Sequence, residues 1–174
     1  MEKQEIVKLL QTKYKKYMDN DDLEGLVFAA PANQRSAIAS FLMYDVGIDL
    51  FSQMSEIPDR MLQLCDKVDT VLIPSNIKSI GPNAFEGSSI SKIKIDDNSP
   101  ITTIPANCFK DCKNLKVVIL PKSVTKIKEG AFRNCDNIKY IVTPKRQTRS
   151  EKIQVPETDR SFLQSRLAEV EGTD

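Results

Sequence analysis

The chain has 174 residues, with 25 basic and 24 acidic side chains and a formal net charge of +1. This balance excludes a strong overall electrostatic field for nucleic acid or for a membrane surface. The chain contains no histidine, which excludes His-based catalytic triads and His-ligated metal sites.

The first residues, Met1-Glu-Lys-Gln-Glu, are polar and acidic and lack the apolar segment of a signal peptide. No apolar run approaches the roughly 18 residues that a membrane-spanning helix needs. We therefore expect a cytoplasmic protein, in which thiols stay reduced.

Residues 1–56 have helical patterning. Apolar side chains recur at spacings of three to four over residues 3–18, which predicts one amphipathic helix. Asn20-Asp21-Asp22 ends it and supplies the N-cap of a short second helix that stops before Pro31. A third helix is predicted over about 33–46, with Gly47 as its C-terminal cap and one further turn after Asp49.

A helical unit this small buries too little surface to be secure alone. The end of a solenoid also exposes apolar core and needs a cap. We interpret residues 1–56 as a unit that caps the first coil; a separately acting module on a hinge is the alternative.

Residues 57–144 repeat themselves with a period of about 23 residues. Short apolar runs begin at Val68, Ile90, Leu115 and Ile138. A phenylalanine follows in each full unit: Phe85, Phe109 and Phe132. Ile57-Pro58 and Leu62 fit the same columns as a degenerate half-unit. A fixed period of this length is typical of a solenoid, here of three to four repeats, because one unit cannot bury its apolar face alone.

The four cysteines are interpreted as structural. Cys65, Cys112 and Cys135 share one repeat column, where a small buried residue is expected, and their spacing with Cys108 matches no zinc knuckle. A bridge between Cys112 and Cys135 is the alternative, because adjacent coils lie about 4.8 Å apart. The acidic run Asp96–Ser99 lacks the glycine and terminal glutamate of a calcium loop. No metal site and no cofactor is predicted.

The unit Leu115–Ile138 has the pattern Leu-x-x-Val-x-Leu-Pro-x-x-Val-x-x-Ile-x-x-x-Ala-Phe-x-x-Cys-x-x-Ile. This pattern resembles the BspA-like class of leucine-rich repeats. The resemblance implies a parallel sheet on a concave face, irregular or short helical segments opposite, and binding of other macromolecules rather than chemistry. The helical prefix and its Gly-Ile-Asp…Ile-Pro ending are also similar to small leucine-rich-repeat proteins of bacteriophages.

Residues 145–174 are interpreted as a polar linker followed by an amphipathic helix over Asp159–Val170. Phe162, Leu163, Leu167 and Val170 would lie on one side of this helix. It would cover the open C-terminal coil or present a segment to a partner. The fold class is thus α+β: a small helical N-terminal unit, a short leucine-rich-repeat solenoid with a parallel β-sheet face, and a C-terminal helix.

The predicted binding site is the outward face of the repeat strands. In each strand, positions one, four and six point inward, whereas two, three and five point outward. Apolar residues occupy several of these outward positions and lysines flank them, which is typical of an interaction surface. The predicted partner-binding residues are Leu72, Lys92, Lys94, Val117, Ile119, Tyr140 and Val142. The alternative is that the chain's own helices cover this face.

The sequence therefore predicts a non-enzymatic scaffold that binds another protein, whose identity the pattern does not specify. By the bacteriophage resemblance it would be a virion component or an inhibitor of a host protein, located in the host cytoplasm or the virion. Binding to membranes or nucleic acid is not expected. The alternative is a small enzyme or a nucleic-acid-binding accessory, using the helical unit or the basic group Lys145, Arg146 and Arg149.

Overall fold

The structure, a computed structural model, describes residues 1–171. Its N-terminal part is helical. The elements are α1 (Lys3–Gln11), α2 (Lys15–Asp19), α3 (Leu23–Ala29), α4 (Ala32–Ser40), a π-helix (Phe41–Val46) and a 3-10 turn (Phe51–Gln53).

The single helix predicted over residues 3–18 is wrong, because the chain breaks between α1 and α2. The Thr12 hydroxyl donates to the Lys8 carbonyl at 2.7 Å, and the Tyr14 amide donates to the Leu9 carbonyl at 3.0 Å. A side-chain bond of this kind competes with regular helix pairing. The break turns Tyr14 into the core, where its side chain is only 1% exposed.

The other predicted helix signals are confirmed. The Asp22 carboxylate accepts a hydrogen bond from the Gly25 amide at 3.0 Å at the start of α3. Gly47 follows the π-helix with a φ of +87°, a conformation that glycine adopts without steric cost. The Asp49 carboxylate accepts from the Ser52 amide at 3.3 Å and supports the 3-10 turn.

The rest of the chain winds into stacked coils whose strands form one five-stranded parallel sheet and a set of shorter ladders. The sheet has the order β2 (Thr70–Ile73), β4 (Lys92–Ile95), β6 (Val117–Ile119), β8 (Tyr140–Pro144) and β9 (Leu167–Val170). The shorter strands are β1 (Glu56–Ile57), β3 (Ser79–Ile80), β5 (Thr103–Ile104) and β7 (Lys126–Ile127), paired as β1–β3 and β5–β7. The predicted fold class is confirmed.

Stacked phenylalanines form the centre of the solenoid core. The rings of Phe85 and Phe109 lie 5.3 Å apart with 10° between their planes, and those of Phe109 and Phe132 lie 5.3 Å apart with 8°. All three side chains are buried. Phe51 of the helical part continues the series, 6.5 Å from Phe85. The predicted phenylalanine column is therefore confirmed as the centre of the core.

Each coil turns at two residues whose backbone has a positive φ, the left-handed conformation, and these residues form two columns along the solenoid. The first column follows the short strands and comprises Arg60, Asn83, Asn107 and Gly130, with φ between +56° and +74°. The second comprises Leu64, Gly87, Asp111 and Asn134, with φ between +58° and +67°. The members of the two columns are four residues apart in every coil. Asparagine, aspartate and glycine tolerate this conformation best.

The cysteine column is part of the core. The Cys112 thiol donates to the Phe85 carbonyl at 3.0 Å, and the Cys135 thiol donates to the Phe109 carbonyl at 2.8 Å. All four cysteines are buried with free thiols. Burial raises the pKa of the Cys108 thiol, and the interaction with the Cys112 thiol, followed by burial, raises the pKa of Cys135. The Cys112 and Cys135 thiols thus each satisfy a backbone carbonyl of the preceding coil.

The helical part packs against the first coil through buried polar contacts. The Arg35 guanidinium, 8% exposed, donates to the carbonyls of Val27, Ala30 and Asp59 at 3.0, 3.0 and 2.8 Å. It also forms an ion pair with the Asp59 carboxylate at 2.9 Å. Since these acceptors come from both α3 and the turn after β1, one side chain links the helical part to the solenoid.

The C-terminal region differs from the prediction. The helix predicted over Asp159–Val170 is wrong beyond Arg166: α5 spans Arg160–Arg166, and residues 167–170 form β9 instead. β9 pairs in parallel with β8, with Ile141 opposite Leu167. The backbone groups at the edge of β8 need partners, and β9 supplies them.

Residues 145–156, which include the predicted polar linker Lys145–Lys152, pack along the last coil. The Arg146 side chain is 3% exposed and donates to the carbonyls of Pro121, Lys122 and Glu151 at 3.1, 3.3 and 2.6 Å. Burial lowers the pKa of its guanidinium. The Gln154 carbonyl accepts from the Ile127 amide at 2.8 Å and continues the short-strand ladder.

Candidate binding face

The seven predicted binding residues, Leu72, Lys92, Lys94, Val117, Ile119, Tyr140 and Val142, lie on one face of the five-stranded sheet, which we call the sheet face. The parallel register places them in two rows that run across the strands. One row is Thr70, Lys92, Val117 and Tyr140; the other is Leu72, Lys94, Ile119, Val142 and Ala168.

Alternation along each strand explains why these side chains face outward. In β2, Val71 and Ile73 are buried, whereas Thr70 and Leu72 are exposed. Successive side chains of a strand point to opposite sides of the sheet, and one side is committed to the core. The outward positions are therefore free to hold residues that the core does not require.

The sheet face exposes large apolar side chains. Leu72 and Tyr140 are each 56% exposed, and Val117, Ile119 and Val142 are half-buried. Because Leu72 and Tyr140 are exposed, no helix within residues 1–171 covers these two side chains. An exposed apolar cluster costs free energy in water, which contact with a partner would recover.

A groove of about 330 Å³ adjoins the apolar half of the sheet face. It lies where β6, β8 and β9 end. Its lining includes Ile119 and Val142 of the sheet face, together with Pro144, Val170 and Lys122. The groove therefore extends the apolar surface past the last strand positions.

Two lysines form ion pairs with Glu169 of β9 and with Glu171, which follows β9. Lys152 contacts the Glu169 carboxylate at 3.0 Å, and Lys145 contacts Glu171 at 3.9 Å. The hydrogen bond from Lys152 lowers the pKa of Glu169. These pairs fix the far edge of the groove.

The structure separates the residues of the alternative basic site. Of the group Lys145, Arg146 and Arg149, Arg146 is buried among backbone carbonyls and Lys145 is paired with Glu171. The three side chains therefore do not form one exposed cationic patch, which is what a phosphate backbone would require.

In the helical part, a carboxylate with a shifted pKa is held in ion pairs. Its carboxylate Asp45 forms ion pairs with Lys3 at 3.1 Å and Lys67 at 2.9 Å, and the hydrogen bond from Lys67 lowers the pKa of Asp45. Elsewhere in residues 1–171, the other carboxyl groups with a shifted pKa, Glu151 and Glu169, are also shifted downward. A general acid at neutral pH needs an upward shift.

Residues 1–171 contain no cluster of three or more metal-ligating side chains. Within the same residues, no helix is long and apolar enough to cross a membrane.

Sequence reasoning missed the part of the site that β9 contributes. Ala168 continues the second row, and Val170 lines the groove. One signal was available: Ile138 and Leu163 are 25 residues apart, within the range of the other repeat spacings, and Leu163 is buried. That spacing extends the repeat period into the tail.

Comparison with known proteins relates the fold to one family and one solved structure. No curated protein matches the chain. A crystal structure of a leucine rich cell surface protein from Faecalibacterium prausnitzii A2-165 is similar, with 26% sequence identity and a TM-score of 0.55. The match covers 68% of this chain and 29% of that protein's chain, so this chain spans under a third of its length.

The family described as BspA type leucine rich repeat region matches residues 46–154 in six copies. The matched range extends beyond the predicted solenoid, residues 57–144 with three to four repeats, at both ends. Because the match covers more than half of the sequence, the chain belongs to the BspA-type leucine-rich repeat family.

Proposed function

We propose that this protein is a non-enzymatic scaffold that binds another protein through the sheet face. The observation that carries the proposal is the exposure of Leu72 and Tyr140, each 56% exposed, beside the half-buried Val117, Ile119 and Val142. Aromatic side chains within a polar rim are where binding energy concentrates in protein interfaces, and apolar neighbours exclude water around them. Repeat solenoids use their extended surfaces in this way.

Residues 1–56 would act in this scaffold as the N-terminal cap. Support comes from Arg35, which donates to carbonyls of both α3 and the turn after β1. Support also comes from the Ser36 hydroxyl, which donates to the Gln63 carbonyl at 2.6 Å, and from the Asn76 side-chain amide, which donates to the Met54 carbonyl at 2.7 Å. A unit held in this way presents the sheet face as part of a rigid body rather than on a hinge.

The cytoplasm is the proposed site of action, supported by four buried thiols that are free. The similar F. prausnitzii protein is described as a cell surface protein, and that description applies to it alone. The roles of virion component and of host-protein inhibitor stay predictions from the bacteriophage resemblance. Rapid alkylation of thiols in fractionated cells would locate the protein and its redox state together.

The proposal is tested by quantitative affinity capture with matched variants. Leu72→Asp and Tyr140→Ala alter the sheet face without touching the core. Leu64→Asp is the matched control, because Leu64 is 74% exposed but lies in a turn outside the sheet. Capture would use extracts of the cells in which the protein occurs naturally, with each variant's melting curve measured beside it.

A protein that is captured by wild type and by Leu64→Asp, but lost with both sheet-face variants, would support the proposal. We expect each sheet-face variant to weaken binding by more than about 1 kcal/mol and to leave the melting temperature unchanged. Equal capture by all four proteins would refute binding through this face.

A further inference from the structure

Four lysines border the apolar part of the sheet face on two sides. Lys92 and Lys94 flank it on β4, and Lys116 and Lys139 lie where the chain enters β6 and β8. Backbone hydrogen bonds continue the ladder to these last two: the Lys139 amide donates to the Lys116 carbonyl at 2.8 Å. All four lysines thus lie on or next to the strands that carry the apolar side chains, with Lys92, Lys116 and Lys139 exposed and Lys94 half-buried.

These four ammonium groups have no carboxylate within 4.0 Å in residues 1–171. Lysines at the groove differ in this respect. Lys122 is 3.7 Å from Glu151, and Lys145 and Lys152 are paired with Glu171 and Glu169. The lysines around the groove are thus paired with carboxylates, whereas the four lysines along the sheet face are not.

Negative charge near the face is confined to its margins. Asp69, at the β2 edge, accepts a hydrogen bond from the Ser91 hydroxyl. Asp97 and Glu171 line the groove, at the ends of the strands, whereas Lys116 and Lys139 precede the starts of β6 and β8. A ligand that carries negative charge would therefore meet the four lysines and avoid both margins.

We propose that the partner presents an extended acidic segment whose carboxylates pair with Lys92, Lys94, Lys116 and Lys139 and whose apolar side chains contact Val117, Ile119, Tyr140 and the groove. This inference rests on the proposed function and names the chemistry of its partner. The distance from β2 to β8 is about 14 Å at a strand spacing of about 4.8 Å. Four to five residues of extended peptide, at roughly 3.3 Å each, span it.

The apolar composition favours a peptide over a nucleic acid. Single-stranded nucleic acids bind through several aromatic side chains on which bases stack. Tyr140 is the one aromatic residue among the seven of the sheet face. Leu72, Ile119 and Val142 are aliphatic, and a phosphate placed against them would lose its hydration without gaining a hydrogen-bond partner.

The test uses synthetic fluorescent peptides of one length and measures anisotropy with the full chain. The first peptide alternates glutamate with leucine and phenylalanine. The second replaces each glutamate by lysine, and the third replaces each apolar residue by serine. An oligothymidine of similar length is the nucleic-acid probe. We expect the first peptide to bind at least about tenfold more tightly than the other three probes, and to weaken as salt is raised.

The matched variants are Lys92→Glu/Lys94→Glu on the sheet face and Lys78→Glu/Lys113→Glu outside the sheet. Both change the net charge equally, and Lys78 and Lys113 are exposed. The sheet-face variant should lose at least about tenfold in affinity for the acidic peptide, and the control variant should keep it. If charge reversal prevents folding, Lys92→Gln/Lys94→Gln replaces it and should still weaken binding.

Equal binding of the acidic and lysine peptides, or tightest binding of the oligothymidine, would overturn this inference. So would an equal loss in the two double variants. The proposed function fails separately, through the capture experiment with Leu72→Asp and Tyr140→Ala. A captured protein that needs Tyr140 but is indifferent to Lys92 and Lys94 would leave the scaffold function standing and refute the acidic segment.

Discussion

Replacing Phe109 by alanine tests the core of the solenoid. The side chain is 1% exposed and stacks on both sides, with ring centroids 5.3 Å from Phe85 and from Phe132. Truncating a buried phenylalanine costs roughly 3–5 kcal/mol. The substitution also removes two stacked pairs, each worth about 0.5–1.5 kcal/mol beyond burial. We therefore expect the free energy of unfolding to fall by an amount near the upper end of the range of roughly 3–5 kcal/mol.

A loss of about 5 kcal/mol is a large part of the roughly 5–15 kcal/mol that stabilises a typical domain. For a chain of this size, each kcal/mol lowers the melting temperature by roughly 2–4 °C. Phe109→Ala should therefore lower it by roughly 10–20 °C, or prevent folding. Thermal and urea unfolding followed by circular dichroism would measure the change.

Two further variants identify the cause of the loss. Phe109→Leu keeps most of the apolar contact and loses both stacked pairs, so it should cost roughly 1–3 kcal/mol. Phe28→Ala is the surface control, since Phe28 is 41% exposed, and it should cost about 1 kcal/mol or less. A Phe109→Ala protein that melts within a few degrees of wild type would refute the stacked-coil core.

Three other predictions concern the polar and sulfur groups. Arg146→Met should destabilise the last coil, at roughly 1–3 kcal/mol for each buried carbonyl such as that of Pro121 left unpaired, as measured by urea unfolding. The Gln147 and Thr148 amides and Lys122 lower the pKa of Glu151 below 4.5. The stability that the Glu151 carboxylate contributes is therefore complete above pH 4.5 and is lost as the pH falls through its folded-state pKa. Glu151→Gln should have a lower melting temperature than wild type near neutral pH and an equal one in acid, and a difference that persists in acid would contradict this. Alkylation under denaturing, non-reducing conditions should count four free thiols, whereas two missing thiols would indicate a bond between Cys112 and Cys135.

The repeat region was predictable because its signals are local and recur. Each unit carries its own apolar strand positions and its own phenylalanine, so Phe85, Phe109 and Phe132 support one another as a pattern. The direction of the side chains follows from alternation along the strand, which predicts that Leu72 and Tyr140 point outward. These features depend on spacing along the chain, and spacing is visible in a sequence.

Features that depend on distant partners were not predictable in the same way. Leu167-Ala-Glu-Val is compatible with helix as well as strand, and its pairing with β8 joins residues 26 positions apart, as Ile141 and Leu167 are. Arg146 belongs to a polar stretch, and its burial depends on carbonyls of the preceding coil. The groove beside Val142 requires β9, so its existence could not be inferred without that strand.

The two columns of residues with positive φ enclose a segment whose length is the same in every coil. The segment between them has the same length in every coil, from Arg60 to Leu64 and from Asn107 to Asp111. Length changes occur elsewhere, as in the two extra residues between Ile95 and Ile104 compared with the following coil. Each coil thus has one short segment of constant length, and the added chain lies outside that segment.

This division indicates where the fold tolerates new sequence. The loop after β4 contains exposed Asn98 and Pro100, and the free energy of closing a longer loop rises by only about 0.6 kcal/mol for each doubling of its length. An insertion between Asp97 and Asn98 would lengthen a loop that already varies, whereas one between Asn107 and Asp111 would move every following apolar column out of register. A binding peptide or a reporter could therefore be inserted between Asp97 and Asn98, next to the sheet face, without disturbing the stacked phenylalanines.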